Sequence, residues 1–95
     1  MSSVTIQPKT GDNLSRPYPF HIEEDGTVGR QDFWNGTPEK LVGFQNDADV
    51  QHVDVPVREF LADPDVAVGK YPVFIDADGS MWNYAAPIES ILVNA

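Results

Sequence analysis

The chain has 95 residues and a mass of 10.5 kDa, enough for one hydrophobic core and too short for two. It contains no apolar run near the roughly 20 residues of a transmembrane helix, and its start, from Met1 to Pro17, lacks the basic and apolar regions of a secretory signal, so a cytoplasmic protein is expected. Six Lys and Arg against 15 Asp and Glu give a net charge of -9, which opposes nucleic acid and anionic membranes as partners; the lack of cysteine removes disulfides, thiol catalysis and cysteine metal sites.

Residues 1–16 are polar, with only Val4, Ile6 and Leu14 to bury, and read as a flexible tail or an added edge strand. Residues 17–95 form one small β-rich domain that contains an internal repeat. Tyr18-Pro19-Phe20-His21-Ile22-Glu23-Glu24-Asp25-Gly26-Thr27-Val28 aligns without a gap on Tyr71-Pro72-Val73-Phe74-Ile75-Asp76-Ala77-Asp78-Gly79-Ser80-Met81, and Trp34-Asn35 then matches Trp82-Asn83. The two copies cover 18–45 and 71–93. Alternation sets Tyr18, Phe20 and Ile22 on one strand face and Pro19, His21 and Glu23 on the other. Asp25-Gly26 and Asp78-Gly79 then read as two-residue hairpin turns. Third strands follow at Leu41 to Gln45 and Ile88 to Val93. The expected class is therefore α+β and mostly antiparallel β: two related three-stranded meanders with one short helical segment between them.

That helical segment follows a strand at 50–55. Asp54 is suited to cap it, Pro56 is tolerated in its first turn, and Val57, Phe60 and Leu61 fall on one side. Pro64 stops it, and one more turn ends at Gly69. Tyr18, Trp34, Tyr71 and Trp82 recur in both copies and are expected between the two meanders. Phe74 stands where the first copy has His21, so the strand at 71–77 is apolar on both sides. Its outward face needs a cover, either the helix at 56–62 or a partner chain.

No motif announces chemistry. Phe74 to Gly79 resembles the start of a calcium loop, but counting Gly79 as the sixth position puts Phe74 first and Ala85 twelfth, where carboxylates are required. His21 and His52 each have an acid two residues away, Glu23 and Asp54, which leaves a small metal-dependent or carboxylate-based hydrolase as the alternative to a binding protein. No nucleophile elbow, phosphate loop or three-ligand zinc spacing is present, so no catalytic, cofactor or metal residue is assigned.

Charge is uneven: residues 1–45 carry four cations and six acids, and 46–95 carry two cations and nine acids. Asp47, Asp49, Asp54, Glu59, Asp63 and Asp65, together with Phe74, form the candidate partner-binding set, suited to a host protein with a basic surface. The apolar Ile88-Glu89-Ser90-Ile91-Leu92-Val93 run has little edge protection beyond Pro87, which predicts a homodimer. The stretches Leu41 to Asp47, Gln51 to Val55 and Gly69 to Phe74 resemble small uncharacterised accessory proteins of actinobacterial phages. That resemblance implies a protein that binds and modulates a host protein.

Overall fold

A computed structural model of the chain describes residues 3–9, 19–29, 38–48 and 52–94. It is mostly antiparallel β with one short α-helix. The elements run β1 (Ser3–Pro8), β2 (Phe20–Ile22), β3 (Pro38–Gln45), β4 (Val55–Pro56), α1 (Val57–Ala62), a 3-10 turn (Pro64–Ala67), β5 (Tyr71–Asp76), β6 (Met81–Asn83) and β7 (Ile88–Asn94). They make a three-stranded sheet in the order β2-β1-β7 and a four-stranded sheet in the order β4-β3-β5-β6.

Two corners join the sheets. At one, Ile22 bridges to Val28 and Thr27 bridges to Lys40, so the strip after the first turn links β2 to β3. At the other, Val68 bridges in parallel to Ile88, and Ile88 N–H donates to Lys70 C=O at 2.8 Å, linking the approach to β5 with β7. Backbone hydrogen bonding thus runs a closed circuit around the core. Closure of this kind satisfies strand edges without needing long strands.

Ser3–Pro8 is the central strand of its sheet, so the expected tail or edge strand is corrected for these residues. Val-Thr-Ile-Gln alternates with period two: Val4 and Ile6 are buried against the core while Ser3, Thr5 and Gln7 face outward. Two β-branched residues on the inner face suffice when both neighbours, β2 and β7, also turn apolar residues inward. Residues 10–16 and Leu14 lie outside the described residues.

Both repeat copies fold as hairpins with the same turn. Gly26 N–H donates to Glu23 C=O (2.9 Å) and Glu23 N–H to Thr27 C=O (2.8 Å); Gly79 to Asp76 (3.0 Å) and Asp76 to Ser80 (2.9 Å) repeat this pattern. Only the glycines take positive φ, 92° and 91°, and no non-glycine residue among those described does. The loops are therefore three residues long, a turn closed by a left-handed glycine, and not the two-residue turns expected. The copies diverge after the turn. β3 stays with its hairpin through Lys40, whereas β7 leaves β6 and crosses to pair with β1, so the second copy is a hairpin plus a strand of the other sheet.

The copies also face the core in opposite senses. Phe20 and Ile22 are buried in the first, but in the second Phe74 is the core residue, fully buried, with its ring 4.6 Å from Phe20 and 5.1 Å from Trp82. Phe74 is thus not outward; it faces the core, where Phe20 of the opposite sheet packs on it. Apolar residues on both sides of β5 left either face free to turn inward, and the larger side chain did so. Val73, on the other side, is 3% exposed. Its neighbours across the sheet are Gly43 and Asn83, and Asn83 Nδ2 donates to Ala48 C=O at 3.1 Å. The loop after β3 therefore lies over this face. Tyr18, Trp34 and Asn35 lie outside the described residues.

Phe60 carries α1 onto β3, with ring centroids 4.8 Å from Phe44. The N-cap of α1 is Pro56, without a side-chain bond. Asp54, the expected cap, instead accepts from Asn46 N–H at 2.7 Å across the β3–β4 turn. The helix ends at Ala62, one residue before Asp63-Pro64, as the restriction that proline puts on its predecessor requires. No helix among the described residues is long and apolar enough to cross a membrane.

Candidate protein-binding groove

β7 is where the closed circuit is thinnest. It pairs with β1 from Ser3↔Asn94 to Pro8↔Ile88, but on its other side only Ile88 meets a strand, through Val68. From Glu89 onward the outer edge of β7 has no strand partner among the described residues. Register with β1 sets Ile91 and Val93 on the inner face beside Ile6 and Val4, and Ser90, Leu92 and Asn94 on the outer face beside Gln7, Thr5 and Ser3.

Near Asn94 the inner face is incompletely covered. Val93 is 52% exposed although it points the same way as buried Val4. Between this end of the sheet and the α1–3-10 segment lies a groove of about 560 Å³, lined by Val4, Leu61, Ala62, Pro64 and Val93, with Glu24 and Arg58 as its charged members. That volume falls in the range of sites that hold a ligand or a few side chains of a bound peptide. The groove has the α1–3-10 segment on one wall and the inner face of β1 and β7 on the other. It lies next to a strand whose outer edge is unpaired among the described residues, so a chain added along that edge could turn side chains toward it.

The sequence-derived acids fall on two elements. Glu59, Asp63 and Asp65 are exposed on the α1–3-10 segment that also supplies Leu61, Ala62 and Pro64 to the groove. Asp47 and Asp54 are exposed in the loop between β3 and β4, and Asp49 lies outside the described residues. Phe74 belongs to the core. Sequence reading missed Val4, Ala62, Pro64 and the groove itself, since the groove exists only where the end of β7 meets α1. Leu61 and the edge strand were readable, the first from helical spacing and the second from its unprotected apolar run.

Neither histidine gathers a metal site. His52 Nε2 lies 3.3 Å from Asp54 Oδ1 and is largely exposed. His21 Nε2 lies 3.1 Å from Glu23 Oε1, and its Nδ1 is 3.4 Å from Thr5 Oγ1 on the outer face of the three-stranded sheet. Gly29 packs against this ring; a Cβ there would sit 2.8 Å from His21 Cδ2. Among the described residues no three His, Cys, Asp or Glu side chains are grouped to hold a metal ion.

No protein-family model, curated protein or solved structure matches the chain. The groove and its edge strand must be interpreted from their own chemistry.

Proposed function

We propose that this chain is a non-catalytic protein-binding module that takes an extended segment of a host protein along β7. The carrying observation is the apolar groove between the inner face at the end of β1 and β7 and the α1–3-10 segment, next to the open edge of β7. Glu59, Asp63 and Asp65 are exposed on the segment that supplies one wall of the groove, and the lining itself pairs one acid, Glu24, with one base, Arg58. This balance favours a segment apolar at its centre with basic residues flanking it on the acid-rich α1–3-10 side. That the segment belongs to a host protein is only what the sequence resemblance to phage accessory proteins implies; the groove and the open edge support the mode of binding, with backbone pairing for affinity and side-chain pockets for choice.

Ala62 is exposed and lines the groove, so Ala62→Trp fills the groove without touching the core. Immobilised chain should capture one defined partner from host lysate, and the Ala62→Trp variant should lose it. Moderate salt should weaken the capture, since exposed charges are screened beyond about 10 Å at 0.1 M. Capture that persists in Ala62→Trp overturns this reading.

A second reading has one observation behind it: His21 contacts both Glu23 and Thr5, an imidazole between an acid and a hydroxyl. Ester or phosphoester hydrolysis lost in both His21→Ala and Thr5→Ala would put a hydrolase in its place.

A further inference from the structure

We propose that, without a partner, β7 pairs with β7 of a second copy, antiparallel and with Leu92 on the two-fold axis. This rests on the open edge that the binding reading also uses, but names a different occupant. An isologous edge pair sets one strand against its own reverse, so the strand must match itself read backwards. Ser90-Ile91-Leu92-Val93-Asn94 does. With Leu92 opposite Leu92, Ile91 meets Val93 of the second copy on the inner face, and Ser90 meets Asn94 on the outer face. Polar groups meet polar ones, and each β-branched residue meets another.

Charge agrees with this register. Glu89 is the one ionisable side chain on β7, and it lies outside the matched five residues. The two Glu89 side chains would be six residues apart along the strands, about 20 Å, beyond the roughly 10 Å screening length at 0.1 M salt. Leu92 and Val93, 62% and 52% exposed, would both be covered, and the inner-face Ile91 and Val93 of the second copy would be directed toward the groove side. Each chain carries -9, so the dimer should tighten with salt, whereas capture of a basic segment should weaken. The two occupants compete for one edge, and a bound host segment would separate the dimer.

The chain has no cysteine, so single cysteines report the register directly. Opposed residues of an antiparallel pair have Cα atoms about 4.5–5.5 Å apart, within the 4.4–6.8 Å range of a disulfide. Under mild oxidation of the full chain, Leu92→Cys should cross-link into a dimer, while Ser90→Cys, about 14 Å from its counterpart by strand rise, should not. Leu92→Lys and Leu92→Glu, at an exposed position, should each weaken dimerisation about tenfold or more by setting like charges on the axis and removing Leu92 contacts. Mixing the two variants should restore a heterodimer. A wild-type monomer at low and high salt in sedimentation equilibrium at tens of micromolar overturns the proposal, as does cross-linking of Ser90→Cys as fast as Leu92→Cys. A monomer that still captures its host partner refutes the dimer alone; a dimer in a chain that captures nothing refutes the host reading alone.

Discussion

Gly26 and Gly79 occupy one turn geometry at two places in the chain, with φ of 92° and 91° and the same backbone bonds on either side. The aspartate before each completes the match: Asp25 Oδ1 accepts from Thr27 N–H and Asp78 Oδ1 from Ser80 N–H, both at 2.9 Å. A side chain at either glycine must take a left-handed backbone that costs about 1–2 kcal/mol. Gly26→Ala and Gly79→Ala should each lose about that much in urea denaturation, and Gly79→Asn should lose less, since asparagine tolerates this region. An alanine without effect at either site would mean that the turn there is built differently.

Acid should weaken these turns together. Both carboxyls are held below their ordinary value of 3.8, first by the hydrogen bonds from Thr27 and Ser80. A folded-state pKa below the unfolded one contributes stability that is present above 3.8 and lost as pH falls through the lower, folded value. Asp25→Asn with Asp78→Asn keeps an acceptor and removes the titration. Below pH 3.8 the double variant should lose stability less steeply than wild type, read by thermal melts at successive pH values; parallel curves would assign the acid sensitivity to other carboxyls.

Phe74 gives the sharpest test of which face of β5 is inside. Enclosed by Phe20 and Trp82, it should cost about 3–5 kcal/mol on truncation to alanine. Met81, 46% exposed on β6, should cost about 0.5 kcal/mol or less. A small loss at Phe74 would return it to the surface.

How far the sequence could be read follows from these residues. Asp-Gly pairs mark turns by a local conformational need, so both hairpins were legible, although the length of the loop depends on whether the aspartate shares the positive φ. The stop at Pro64 was legible for the same local reason. The inward face of β5 was not, since Val73, Phe74 and Ile75 offer apolar groups to both sides and only the opposing Phe20 decides. The crossing of β7 to β1 was also hidden: the partner of a strand depends on contacts far apart in sequence, from Pro8↔Ile88 to Ser3↔Asn94, reinforced by Asn94 Nδ2 donating to Thr5 Oγ1 at 3.0 Å. The groove inherits that difficulty, since Val4 and Val93 come from opposite ends of the chain.

Gly43 should be among the least replaceable positions. An added Cβ would collide with Val55 C=O and lie 2.6 Å from a Val53 methyl, and the first of these neighbours is backbone held by the Phe44↔Val55 pairing. Gly43→Ala must push β4 from β3, and α1 follows β4 directly. Expected are a destabilisation of about 2 kcal/mol or more and faster amide exchange at Asp54, whose N–H donates to Phe44 C=O at 2.8 Å. Unchanged exchange at Asp54 would show that the loop yields without the strand.

Gln45 tests whether the loop over the outer sheet face is held by one side chain. It is 1% exposed, a buried polar residue on a strand, and both ends of its amide are used: Nε2 donates to Asp47 C=O at 2.5 Å, and Oε1 accepts from His52 N–H at 3.3 Å. The loop thereby closes on itself above Val73 and Asn83, and it carries the exposed Asp47 and the hydrogen-bonded carboxylate of Asp54. Gln45→Leu keeps the volume and strands two backbone groups, at about 1–3 kcal/mol for those left buried. Gln45→Glu keeps the acceptor for His52 but sets a carboxylate against Asp47 C=O, so it should be the worse variant at pH 7 and should recover as the introduced acid is protonated. Chemical denaturation at pH 7 and pH 4 separates the two cases. If Gln45→Leu is as stable as wild type and Gln45→Glu shows no recovery in acid, the loop is held by the packing of its Val53 on Gly43 and not by this amide.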